Sequence, residues 1–209
     1  RPGRARRAAP RLGVAVTAAT GAGGGRPLGV LLVNLGSPEA PTPRAVRRYL
    51  REFLGDPRVI DIPALPRWLL LNFAILPFRP RASARAYTQV WMPEGSPLVV
   101  YGRSLREALA RTLGDDFVVE LAMRSGVPAI APALDRLARA DVERIIVVPL
   151  FPHYSSAATG SALEAIYRTA GARWNVPPLD VLDAYYDEPG FIEALAAVAN
   201  ELCAHERDR

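Results

Sequence analysis

Lysine is absent from this chain of 209 residues, and all 26 of its basic side chains are arginine. Arginine therefore stands even on ordinary solvated faces, where lysine would serve as well, so the enrichment reads as a coding bias and no single arginine marks an anion site. Cysteine is nearly absent too. With Cys203 alone, no internal disulfide and no cysteine-rich metal site can form within these residues. One thiol fits a reducing compartment, and the cytoplasm is the expected location. Acidic residues are missing from the first 26 positions, where Arg1, Arg4, Arg6, Arg7, Arg11 and Arg26 stand. The remaining 20 arginines face 21 acids, so the net charge of +5 belongs to the terminus while the body is near neutral. Nucleic acid, which requires a basic folded surface, is not an expected partner. The Arg/Ala/Gly-rich stretch 1–26 has no amphipathic period, and its apolar centre is too short for a secretory or spanning segment. It reads as a disordered extension ahead of one domain at 27–209.

Several phosphate and nucleophile motifs are also lacking. A dinucleotide site would open its first helix with G-x-G-x-x-G. Here "NLGSPEAPTP" offers one glycine and three prolines. There is no G-x-x-x-x-G-K-[ST] loop and no G-x-S-x-G elbow. A flavodoxin-like nucleotide binder is disfavoured on the same grounds. The most apolar stretch, "IPALPRWLLLNFAILPFRP", runs about 16 residues between prolines, short of a membrane span.

Half of the residues are hydrophobic and 22% are charged, an ordinary globular balance. "LGVLLVN" (28–34) is a continuous Val/Leu run, as expected of a strand buried on both faces. Thr42 as N-cap, Pro43 in the first turn and Gly55 at the stop frame a helix that carries Val46, Tyr49, Leu50, Phe53 and Leu54 on one face. Helical spacing returns at 97–113, with Leu98, Tyr101, Leu105, Ala108, Leu109 and Leu113 as its stripe. Strands at 117–123, 144–150 and 179–185 alternate with helices near 129–140, 160–171 and 189–204. Residues 62–96 are less regular.

This alternation predicts an α/β, Rossmann-like parallel four-stranded sheet with helices on both faces. The loops after its strands share one rim, where open α/β sheets bind ligands. Those loops are "NLGSP" (34–38), "MRSGVP" (123–128), "FPHYSSAATGS" (151–161) and "YYDEPGF" (185–191). The third is unusual: a strand runs into a stiff corner of Pro149, Phe151, Pro152 and His153, then into small and hydroxyl residues with almost no charge. Helix capping by Thr159 or Ser161 accounts for part of it. His153 serves either as a packed rim histidine or as a ligand contact. Arg124 is placed to meet an anionic ligand or to pair with a neighbouring loop. The acids of "YDEP" stabilise a helix start.

Taken in order, "LLVNLGSPEAPTPRAVRRYLREFLGDPRVIDIP", "ILPFRP", "YTQVWMPEGSPL", "MRSGVPAI", "VVPLFPHYSSAATGSALEAIY" and "YYDEPGF" resemble the ferrochelatases, enzymes that insert ferrous iron into a porphyrin to make haem. The style is closest to the proteobacterial type. The resemblance implies two similar Rossmann-like halves around a porphyrin, with this chain as the first half plus the start of the connection. Its expected partners are the porphyrin and the missing C-terminal half of the same enzyme. The apolar corner would then be one wall of the cleft.

Residue by residue, the resemblance implies substrate contacts at Leu35, Tyr87, Ser96, Arg124 and His153. Ser125 stands where tyrosine is common in the family, and Ala157 and Ala158 replace hydroxyl residues. Region 62–96 would be a lip over the cleft, with peripheral contact at the inner membrane as a further expectation. Fe²⁺ would be a substrate, and no organic cofactor is implied. An iron–sulfur centre, found in some relatives near the far C-terminus, lies outside these residues.

Metal insertion must remove two pyrrole protons, a task for a neutral histidine with a carboxylate partner. The family's strand-end histidine motif, S-x-H-x-L-P in outline, and its later glutamate do not occur here. His205 stands among charges at a helix end. The catalytic pair is therefore expected beyond Arg209, this piece alone is expected to be inactive, and no metal ligand is expected within it. A coproporphyrin chelatase would need more cationic rim residues than the body carries. A non-catalytic tetrapyrrole-binding half-domain is the alternative of another class.

Overall fold

Strand β1 (Leu28–Ser37) lies between two parallel neighbours, β2 (Phe117–Gly126) and β3 (Ile145–Pro149). Leu28 registers with Phe117 and Ser37 with Gly126 on one side; Gly29 registers with Ile145 and Val33 with Pro149 on the other. A short β4 (Leu179–Val181) pairs in parallel with β3, so the sheet order is β2–β1–β3–β4. The computed structural model describes residues 25–207. Most of the extension expected at 1–26 lies outside the described residues.

Leu31 and Val33 are fully buried on one face of the sheet, and Val30 and Leu32 are buried on the other. Such a strand needs cover on both sides. The first face is closed by α5 (Ile130–Arg139) through Ile130, Ala133, Leu134 and Leu137, and by α6 (Ser161–Gly171) through Ala162, Ile166 and Ala170. The second is closed by α4 (Pro97–Leu113), which lays Val99, Leu109, Ala110 and Leu113 on Leu28, Val30, Leu32, Leu121 and Met123. The expected α/β fold with helices on both faces is the fold observed.

The remaining elements differ in detail from the sequence reading. α1 (Pro43–Gly55) begins as expected, with the Thr42 hydroxyl accepting from the Ala45 N–H and Pro43 in the first turn. In α4 the expected stripe holds in part: Leu109 and Leu113 pack on the sheet, whereas Tyr101 and Leu105 are 65% and 45% exposed. The helix turns Gly102 to the sheet instead, and a Cβ there would lie 3.0 Å from the Leu121 side chain. That face combines the close approach at Gly102 with the apolar side chains of Val99, Leu109, Ala110 and Leu113.

Residues expected to be irregular are largely helical: α2 (Ala64–Leu69), a π-helical stretch (Leu70–Ile75) and α3 (Leu76–Val90). They form an excursion packed on α1 through buried Leu71, Leu76 and Ala84. The last helix, α7 (Pro189–Arg207), leaves Ile192, Leu195 and Val198 exposed. β1 and β2 continue three residues beyond their expected ends, so "NLGSP" and "MRSG" belong mostly to the sheet.

That extension depends on two glycines. Gly36 adopts φ +113 and Gly126 φ +85, and an added Cβ would lie 1.8 Å from the Ser125 carbonyl oxygen in the first case and 2.5 Å from that of Ser37 in the second. Only glycine allows the strands to meet this closely. Gly36→Ala is expected to destabilise the fold by well over ~3 kcal/mol in urea unfolding, while Gly114→Ala, strained at positive φ but in open space, should cost about 1–3 kcal/mol. Equal losses would remove the close-approach argument.

Candidate functional site

The chain leaves β1 toward β2 on one side and returns to β3 on the other, so the carboxyl ends of β1 and β3 flank a topological switch point. Leu35, half-buried at the end of β1, stands at this rim. The β3 corner is held beside it by the Leu150 N–H donating to the Val33 carbonyl (2.8 Å) and the Tyr185 N–H donating to that of Pro152 (3.1 Å). Beyond this corner, exposed His153 stacks on Tyr186 at 4.8 Å between ring centroids and 12° between planes.

A π-helical turn (Ser156–Gly160) then leads directly into α6. The capping role expected of Thr159 or Ser161 falls to Ser155, whose hydroxyl accepts from the Ala158 N–H (3.1 Å). The π turn explains the shift, because it starts five residues before α6 and brings its own exposed donors. Thr159 is buried, and its hydroxyl has no hydrogen-bond partner among the described residues. Phe151, Tyr154, Leu163, Tyr167 and Leu182 line a cavity of about 270 Å³ beside it, smaller than most ligand pockets. These residues build an open, aromatic and apolar wall.

Several charges at the rim are paired. Arg124 Nη2 donates to Asp56 Oδ2 (2.6 Å), and its Nε donates to the Ser161 hydroxyl (2.7 Å) and carbonyl (3.1 Å). The Ser161 hydroxyl donates in turn to Asp56 Oδ2 (2.5 Å), and the Arg58 N–H to Asp56 Oδ1 (2.8 Å). One turn earlier on α1, Glu52 accepts from the Gly126 N–H (3.1 Å) and lies 3.9 Å from Arg124 Nη1. Burial works against ionisation of the Asp56 carboxyl, but the hydrogen bonds from Ser161, Arg58 and Arg124 outweigh it and hold its pKa below the usual carboxylate range.

Of the five residues singled out from the sequence, Leu35 and His153 lie on the rim. Arg124 is committed to Asp56 and Ser161. Tyr87 lies on α3 beside Tyr49, with Trp91 edge-on to it at 6.2 Å. Tyr49 donates to the Gly36 carbonyl (3.2 Å), and burial, then Tyr87, push its phenol above the ordinary value. Ser96 is buried and starts α4 through its carbonyl, which accepts from Val99 and Val100. Sequence reasoning missed Asp56, Arg58 and Ser161 as a group. The only local signal was Asp-Pro after the glycine that ends α1, which favours an aspartate turn. Among the described residues no cluster of three or more His, Cys, Asp or Glu side chains is arranged to hold a metal ion.

A family model described as ferrochelatase matches residues 27–209. Curated proteins named ferrochelatase are close in sequence. That of Coxiella burnetii (strain CbuG_Q212) is 49% identical over 174 residues, covering 83% of this chain and 48% of its own length. That of Methylococcus capsulatus is 50% identical over 169 residues, covering 81% and 51%. That of Thioalkalivibrio sulfidiphilus is 49% identical over 174 residues, covering 81% and 47%. The chain spans about half the length of the curated relatives it matches.

Because the folded pKa of Asp56 is depressed, its contribution to stability is present above the unfolded aspartate value and lost as pH falls through the folded one. The urea midpoint of the native chain should therefore drop as pH falls below the ordinary aspartate value of about 4, and Asp56→Asn should flatten that part of the profile. Parallel acid limbs in the two proteins would show that Asp56 is not a source of the pH dependence.

Proposed function

Since the chain belongs to the ferrochelatase family, we propose that its carboxyl rim is one wall of a cleft for protoporphyrin IX, and that the complete protein inserts ferrous iron into that ring as a metal-chelating lyase. The observation that carries this reading is the character of the rim within the family-matched region. Leu35, Phe151, Pro152, Tyr154 and the His153–Tyr186 stack offer an apolar and aromatic surface, while Arg124 and Arg58 beside it are held by Asp56 and Glu164. A planar macrocycle gains by burial against such a surface. Arg124 and Arg58 are already engaged by carboxylates, so a ring with four propionates would find few free cations here, which favours protoporphyrin over coproporphyrin.

Within the proposed wall, Leu35 and His153 meet the ring. Arg124 acts through Asp56 and Ser161 in shaping the corner, Tyr87 supports the end of β1 through Tyr49, and Ser96 starts the helix beneath the lip. Removal of the pyrrole protons and delivery of the iron fall to groups of the other half, beyond Arg209. The 209 residues by themselves would then insert no metal.

The lip supports a second contact. No helix among the described residues is long and apolar enough to cross a membrane. Yet Leu65, Trp68, Phe73 and Phe78 are each more than half exposed, and Arg67, Arg79, Arg81 and Arg85 occur with no acid between Asp61 and Glu94. An apolar face with arginines around it suits the cytoplasmic surface of an anionic membrane, and the protein would rest there peripherally.

Protoporphyrin IX added to the chain should give a saturable Soret shift, weakened about three- to tenfold by His153→Ala, and no haem should form with Fe²⁺ under anaerobic conditions. A featureless porphyrin titration, or haem formation by these residues alone, would contradict the reading. Vesicles containing anionic lipid should retain the chain in flotation, and Trp68→Ser with Phe73→Ser should release it. Retention unchanged by both substitutions would dismiss the lip as the contact.

A further inference from the structure

Asp56, Pro57 and Arg58 form a short strap between the end of α1 and the lip, and both charged residues of this strap grasp the same piece of chain. The Asp56 carboxylate is buried and holds Ser161 and Arg124. The Arg58 guanidinium donates from Nε to Glu164 (2.7 Å) and from Nη1 to the Ser156 hydroxyl (3.3 Å). Ser156 opens the π turn, Ser161 opens α6, and Glu164 lies in the first turn of that helix. Gly160 passes beneath the strap, where a Cβ would lie 3.2 Å from Arg58 Nη1. The Arg58 N–H to Asp56 Oδ1 bond closes the turn that aims both side chains the same way.

We infer that Asp56 and Arg58 are positioning residues that lock the lip, from Ile62 onward, to the β3 corner at 151–160, so that the two move as one body. The functional meaning rests on the cleft proposed above, but the coupling itself is a property of the free chain. The two arms are unequal. The Arg58–Glu164 pair is exposed and screened, with side chains 38% and 36% accessible, whereas the Asp56 arm is buried and shares three donors. Removing one member of a buried charged group leaves the others unpaired, so the Asp56 arm carries most of the coupling. Without the strap, the lip keeps its packing on α1 and the corner keeps its two backbone bonds to Val33 and Tyr185, each separately.

Hydrogen exchange read by mass spectrometry tests this on the native chain, Asp56→Asn and Arg58→Met. Asp56→Asn should speed exchange about tenfold or more in both 59–72 and 153–161, with the sheet amides at 29–33 and 119–123 changing less than about threefold. Arg58→Met should produce a smaller rise, about threefold, in the same two segments. An even rise throughout the chain, a rise in one segment alone, or no rise would each overturn the coupling. Should Asp56→Asn fail to fold, Arg58→Met and Ser161→Ala decide by the same criterion. Titrating the same variants with protoporphyrin IX separates the two claims. If the segments loosen together while the native chain binds no porphyrin, the coupling stands and the proposed cleft falls.

Discussion

Burial of β1 on both faces is the constraint from which the rest of this architecture follows. A strand that hides Leu31 and Val33 on one side and Val30 and Leu32 on the other cannot sit at the surface of a two-layer fold. It must be flanked by strands and sandwiched by helices, and parallel neighbours require long crossovers to return the chain to the same end. Those crossovers are α4 on one face and α5 and α6 on the other. Once all four strands run the same way, every loop that follows a strand emerges at one rim, and the switch point between β1 and β3 opens a crevice there.

What the chain places at that rim is a division of labour between charge and surface. Glu52, Asp56, Arg58, Arg124 and Glu164 come from α1, its following strap, β2 and α6, and their pairings join those elements. With both arginines held by carboxylates, the side chains left on this face are mainly aromatic, apolar or small, with exposed Asp183 among them. The glycines have a related part. Gly36 and Gly126 let β1 and β2 stay paired to the very edge of the rim, which gives the ionic group a rigid floor. The chain spans about half the length of the curated relatives it matches.

Much of this was legible beforehand, for identifiable reasons. The Val/Leu run of β1 and the Thr-Pro start of α1 are local signals, carried by hydrophobic period and cap chemistry, and the structure keeps both. The face of α4 was misread in part, at Tyr101 and Leu105, because the helix approaches the sheet through Gly102, which hydrophobic periodicity does not register. Residues 64–90 were left irregular because prolines at 66, 77 and 80 interrupt the helical pattern; the chain absorbs them with a π-helical stretch and a change of helix. Arg124 was legible as a rim cation, but its partner Asp56 lies 68 residues away in sequence, and no local pattern joins them.

The sequence by itself determined the class of fold, the element order, the shared rim and the family, because these depend on local period, turn chemistry and the order of motifs along the chain. Only the tertiary structure decided that the rim arginine is held by a buried aspartate, that Ser155 and not Thr159 caps the corner, and that the turn after α1 is hydrogen-bonded to the start of α6. Those outcomes depend on which side chains meet across tens of residues, and such meetings are set by how the helices settle on the sheet.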